Sequence, residues 1–133
     1  MDQKFRELSY SAAIQEAMRQ AMEADESVFL MGEDIGVYGG AFQVTGDLID
    51  RFGEARVIDT PIAELGASGV AVGAALCGGR PVFEFQFSDF AALAMEQIVN
   101  QAAKIRYMLW GRCLGSARDA FSVRIGNRCC RAA

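Results

Sequence analysis

The stretch DTPIAELG, residues 59–66, sets one carboxylate, Glu64, between an extended proline-bearing segment and a helix-forming run of small residues. Pro61 cannot donate to a sheet ladder, so the strand before it must end and the chain must turn. A carboxylate at the mouth of a strand-to-helix connection has two readings. In the first, it favours the positive N-terminal end of its helix. In the second, apolar neighbours (Ile62, Leu65 and Phe90) desolvate it, its pKa rises from the usual value of about 4.3, and it holds or donates a proton near neutral pH. The loop FSDF, residues 87–90, falls at the same edge of a parallel sheet, where ligands bind in the crevice beyond the strand ends. Gln86 and Phe90 read either as an outward polar residue and a core aromatic, or as the lining of a pocket shared with Glu64. Glu33 and Asp34 open the glycine-rich run GEDIGVYGGAFQVTG and read as a solvated loop start. That run has neither a Walker lysine nor the spacing of a dinucleotide fingerprint, so it makes a weak phosphate cradle.

Periodicity supplies the elements that must hold these residues. SYSAAIQEAMRQAMEA, residues 9–24, puts Ile14, Met18, Ala21 and Met22 on one helical face, with Ser9 as N-cap. VFLMG (28–32) is a buried strand, DLIDRFG a short helix ending at Gly53, and ARVIDT (55–60) a second strand. ELGASGVAVGAALCGG, from Glu64 onwards, is apolar nearly all round and rich in Gly and Ala. It is expected to be buried, with other backbones close against it. PVFEFQF (81–87) alternates as a third strand, with Phe83, Phe85 and Phe87 opposite Val82, Glu84 and Gln86. FAALAMEQIVNQAAKIRYML (90–109) predicts one long helix with a stripe of Leu93, Ile98, Ala102, Ile105 and Leu109. This order is that of an α/β fold, a parallel sheet flanked by helices.

Composition narrows the function. At 133 residues, 52% hydrophobic and 23% charged, the chain can bury one core. Its longest apolar stretches fall short of the roughly 20 residues a membrane span needs, and the N-terminus lacks the regions of a signal peptide, so cytoplasmic is the default location. The net charge of −4 divides into −8 over residues 1–109 and +4 over residues 110–133. An acidic body argues against nucleic acid or an anionic membrane as partner. Cys77 lies in the body and Cys113, Cys129 and Cys130 in the tail; with no histidine and no CxxC pair, no metal site is expected.

MGEDIGVYGGAFQVTGDLIDRFGEARVIDTPIAELG, followed by VAVGAALCGGRPVFEFQFSDFAALAMEQIVNQAAKIRYML, resembles the beta subunit of the thiamine-diphosphate-dependent first component of 2-oxo-acid dehydrogenase complexes. These include the pyruvate, branched-chain and acetoin types. The resemblance covers residues 6–109 and implies an incomplete transketolase-like pyrimidine-binding domain over residues 1–109. It further implies that Glu64 is catalytic, hydrogen-bonding a ring nitrogen of the thiamine diphosphate aminopyrimidine and so promoting removal of the thiazolium proton. Ile62, Gln86 and Phe90 would line the aminopyrimidine pocket, Phe90 packing on the ring. An alpha subunit would hold the diphosphate and its magnesium in a heterotetramer, and the acyl group would pass to a lipoyl-bearing second component. The other readings are a different transketolase-like enzyme, or a non-catalytic fragment that only pairs with an alpha subunit.

The resemblance stops at Leu109. Residues 110–133, WGRCLGSARDAFSVRIGNRCCRAA, turn rich in Arg and Cys, where the family continues with two glycines, a further strand and a histidine. Regrouping the bases one position on from the single Trp codon permits the family's continuation, which points to a one-base insertion. On this reading the tail is out of frame and disordered, the chain is truncated and inactive, and the sheet ends in an unpaired edge with exposed apolar surface. Resequencing the Trp110 codon is expected to reveal the extra base; an unaltered codon would refute the insertion.

Overall fold

The structure, a computed structural model, describes residues 6–109 and the backbone of residues 122–125. Side-chain alternation along the strands decides the architecture. In β1 (Val28–Gly32), Val28 and Leu30 join one apolar cluster while Phe29 and Met31 join another. Val57 and Ile58 of β2 (Val57–Asp59) divide the same way, as do Val82 and the pair Phe83 and Phe85 of β3 (Arg80–Phe85). Both faces of the sheet are therefore apolar, and both must be covered. The first is covered by Met18 and Met22 of α1 (Tyr10–Ala24), by Ile35 and Val44 of the following loop, and by Leu48 of α2 (Leu48–Phe52). The second is covered by Ala67 and Ala71 of α3 (Glu64–Leu76).

The strands pair in parallel in the order β2-β1-β3-β4, with Gly32 between Asp59 and Glu84. The chain runs outward from β1 to β2 and then returns through α3 to the far side of β1. Strand order thus reverses between β1 and β3, and α/β proteins bind ligands beyond the carboxyl ends at such a reversal.

Local chemistry fixes the first layer. The Ser9 hydroxyl accepts the Ala12 N–H at 3.2 Å, as a serine N-cap should. Arg56, just ahead of β2, donates to the carbonyls of Met22 (2.8 Å), Asp25 (2.9 Å) and Val28 (2.6 Å), and its guanidinium lies 5.2 Å from the centre of the Phe52 ring. One side chain thereby ties the end of α1, the start of β1 and α2 together.

Four expectations are corrected. Ala21 is exposed, because the buried stripe of α1 is only as wide as Met18 and Met22. The long helix over 90–109 is instead a 3-10 stretch Ser88–Ala94, a π-helical stretch Glu96–Ala102 and a short α4 (Ile105–Met108). The residues buried from it are Ala91, Ala94 and Ala102, whereas Leu93 and Leu109 of the predicted stripe are exposed. The physical cause lies in α3: its facing side is made of small residues, and even at Gly69 a Cβ would meet the Gln97 side chain at 3.2 Å. Close approach selects alanines, and the backbone shifts its helical repeat to deliver them.

Nor is α3 covered all round, since Val70 is 61% and Leu65 49% exposed. Finally, β3 is not an edge. The backbone of β4 (Ser122–Ile125) pairs with it in parallel from Val82↔Ser122 to Phe85↔Ile125. The open N–H and C=O groups of a strand edge template an extended segment without regard to its ancestry. The rest of the tail, expected to be disordered, lies outside the described residues.

Arg56→Ala strands three carbonyl acceptors and removes a partly buried cation from the layer junction. Urea unfolding is expected to show a loss of about 2 to 3 kcal/mol, only partly recovered by Arg56→Lys, which cannot reproduce the planar fork.

Candidate active site

β1 ends at Gly32, where a Cβ would lie 2.9 Å from the carbonyl oxygen of Glu84, so the close β1/β3 approach demands glycine. The chain then reverses sharply. Asp34 adopts φ 53°, in the left-handed region, and its carbonyl accepts the Gly40 N–H at 2.8 Å. Thr45 donates its hydroxyl to the Ile35 carbonyl at 2.6 Å, and the Gly36 N–H donates to the Asp59 carboxylate at 2.7 Å. This folding back turns Glu33 inward. Asp34 is exposed as expected, but Glu33 is only 6% exposed, so the reading of Glu33 as part of a solvated loop start is corrected.

At the neighbouring strand end, the Thr60 N–H donates to the Gly32 carbonyl at 2.9 Å, extending the β1/β2 ladder by one bond before Pro61 stops it. Ala63 is the N-cap residue of α3 and has no side chain with which to cap. Glu64 follows as the first residue of α3 and is half-buried. Below it the fully buried Ser68 returns its hydroxyl to the Glu64 carbonyl at 2.5 Å.

The structure thus brings Glu64 together with Glu33, a residue the sequence reading left in solvent. Burial is the main force driving the Glu33 pKa up, the Glu64 and Asp34 charges add to it, and the Ala63 N–H opposes it. The apolar cover expected over Glu64 is absent, since Ile62 is 82% exposed and Leu65 also faces outward. Desolvation acts on Glu33. The sequence held only part of the signal, a carboxylate immediately beyond the buried strand run VFLMG; its place at the strand reversal comes from the topology.

Gln86 is half-buried just past β3, so the ends of three adjacent parallel strands carry Gln86, Glu33 and the loop to Glu64. Phe90 is half-buried in the 3-10 stretch and meets Phe87 edge-on at 5.5 Å, and Phe87 in turn meets Phe42 of the glycine-rich loop at 5.8 Å. This aromatic corner joins the loop to the exit of β3. Among the described residues no cluster of three or more metal-ligating side chains occurs, and no helix is long and apolar enough to cross a membrane.

A parallel sheet with a strand reversal, helices on both faces and a carboxylate pair at its carboxyl edge defines an α/β ligand-binding domain. The chain belongs to the family described as transketolase, pyrimidine binding domain, which it matches over residues 6–113. It is similar to the 2-oxoisovalerate dehydrogenase subunit beta of Bacillus subtilis, with 52% identity over 75% of this chain and 31% of that protein. It is also similar to the mitochondrial pyruvate dehydrogenase E1 component subunit beta of Chaetomium thermophilum, with 50% identity over 80% of this chain and 28% of that protein. The corresponding subunit beta of Rickettsia bellii is 48% identical over 80% of this chain and 33% of that protein. The chain therefore spans no more than about a third of the length of these relatives.

Because the folded state binds the Glu33 proton more tightly than the unfolded chain, ionising Glu33 lowers stability. The penalty is absent below the ordinary value of 4.5, grows as pH rises through the folded pKa, and is complete above it. Glu33→Gln stays neutral at every pH, so urea midpoints should show it more stable than wild type at pH 7 and level with it at pH 4. An advantage that does not vary with pH would contradict this.

Proposed function

We propose that the chain is a beta subunit of a 2-oxo-acid dehydrogenase first component of the pyruvate type. The assembled enzyme would decarboxylate a 2-oxo acid on thiamine diphosphate and pass the acyl group to lipoamide. The observation that carries this reading is Glu64 at the head of α3, at the carboxyl edge of the sheet and beside a buried carboxyl. The residues at this edge suit an aminopyrimidine: a carboxyl to meet a ring nitrogen, aromatic rings to flank a flat heterocycle, and an amide at Gln86 to pair with polar edges.

When bound, thiamine diphosphate supplies the nucleophilic carbon and the electron sink that decarboxylation requires. Glu64 would act as the catalytic carboxyl, hydrogen-bonding a ring nitrogen of the aminopyrimidine. Ile62, Gln86 and Phe90 line the aminopyrimidine pocket; the high exposure of Ile62 leaves it available to such a ligand or to a partner chain. The diphosphate and magnesium are assigned to an alpha subunit, and the acyl acceptor to the lipoyl-bearing second component. The acidic body favours neither nucleic acid nor membrane as a partner. The location is read as cytoplasmic. Residues after Leu109 are read as out of frame, which makes this chain inactive as it stands. The open side of α3, with Leu65 and Val70 exposed, favours a second reading in which the chain only pairs with an alpha subunit.

Co-expression with the alpha subunit of its source separates the two. On the first reading, thiamine diphosphate raises the melting temperature of the complex, and Glu64→Ala removes that rise while leaving co-purification intact. Co-purification without any response to thiamine diphosphate would favour the pairing fragment. A rise in melting temperature with thiamine diphosphate that persists in full in Glu64→Ala would exclude the role given to Glu64.

A further inference from the structure

The glycine-rich loop between β1 and α2 reaches from the end of β2 to the exit of β3, and its own hydrogen bonds make it one body. The Gly40 N–H donates to the Asp34 carbonyl at 2.8 Å, the Thr45 N–H to the Gly39 carbonyl at 3.2 Å and the Thr45 hydroxyl to the Ile35 carbonyl at 2.6 Å. Ile35 and Val44 seat this body on the first apolar cluster. Apolar burial is non-directional, so it holds the loop down without fixing how the loop is turned. Directional ties stand at its two sides. On the β2 side, one oxygen of the Asp59 carboxylate accepts the N–H of the buried Gly36 at 2.7 Å. The fit is so close that a Cβ on Gly36 would stand 2.5 Å from the other oxygen. On the β3 side, Phe42 meets Phe87 edge-on at 5.8 Å, and Phe87 meets Phe90 at 5.5 Å.

We infer that Asp59 is a positioning residue for the aromatic wall of the site: by taking the Gly36 N–H it fixes the turn of the glycine-rich loop on its apolar seat, and so holds Phe42 against Phe87, the ring that Phe90 meets. Its relevance to the cofactor rests on the pocket role proposed for Phe90, but the anchorage of the loop does not. Asp59 is itself exposed, so truncating it opens no cavity in the core. What its loss changes is the Gly36 bond, because solvent then reaches an amide that the carboxylate had covered. The position calls for an acceptor of the carboxylate's shape. The side-chain oxygen of asparagine meets that need, and alanine does not.

Magnetic resonance on the isotope-labelled full chain tests this without any cofactor. Asp59→Ala should speed hydrogen exchange at the Gly36 amide by at least about tenfold, the effect of losing a charge-assisted hydrogen bond, while Leu30 in the core is unchanged. The ring resonances of Phe87 and Phe90 should move with it, and Asp59→Asn should keep both the protection and the ring positions. Gly36→Ala reads the same contact from the other side, a measurement that survives if Asp59→Ala fails to fold. Its Cβ displaces the carboxylate, so it should move the same ring resonances. A Gly36 amide indifferent to Asp59→Ala, or rings that stay in place in both variants, overturns the inference. In the complex with the alpha subunit, Asp59→Ala should weaken thiamine diphosphate binding about tenfold and Asp59→Asn should restore it. Normal binding by Asp59→Ala where Phe90→Ala binds weakly would also overturn it. If the amide and the rings respond as expected but Phe90→Ala binds thiamine diphosphate normally, the positioning stands and the pocket reading of Phe90 falls.

Discussion

The parallel pairing of β1 with strands on both sides is the constraint on which the rest depends. Gly32 sits between Asp59 and Glu84, too close to the Glu84 carbonyl for any side chain. Because β1 is paired on both edges and apolar on both faces, everything beyond its carboxyl end must leave through one narrow exit. The left-handed Asp34 folds that exit back on itself, and Glu33 is left inside. The position of a buried carboxyl beside Glu64 is thus a product of sheet topology more than of local sequence preference.

The electrostatic consequence is a division of labour between two glutamates. Glu33 is desolvated and feels the charges of Asp34 and Glu64, which favours its protonated form. Glu64 is half-buried at a helix start and open on the side where Ile62 stands exposed. A ligand or partner covering Ile62 would complete the enclosure that the chain alone does not provide. The same openness runs along α3, where Leu65 and Val70 are exposed.

Much of the fold was legible in the sequence because strand alternation and strand-ending residues are local signals. VFLMG and the Ser9 cap appear where their patterns placed them, the PVFEFQF strand stops at Phe85 and leaves Gln86 and Phe87 outside it, and Pro61 and Glu64 mark the turn and the start of α3. The segment after Phe87 was misread because periodicity measures how apolar a face is and says nothing of how close its neighbour stands. Against the glycines and alanines of α3, small side chains displaced the leucine stripe, and the helix changed its repeat to suit. Glu33 was missed for a related reason. A charged residue at a loop start is ordinarily solvated, and only the strand order reveals that this loop start faces the reversal between β1 and β3.

The account stands or falls on what Glu64 faces when the site is filled. A crystal structure of the chain assembled with its alpha subunit and thiamine diphosphate addresses this directly. The account predicts a ring nitrogen of the aminopyrimidine within hydrogen-bonding distance, about 2.7 to 3.2 Å, of the Glu64 carboxyl, with Phe90 against the ring. An aminopyrimidine bound elsewhere, with Glu64 turned to solvent, would contradict it.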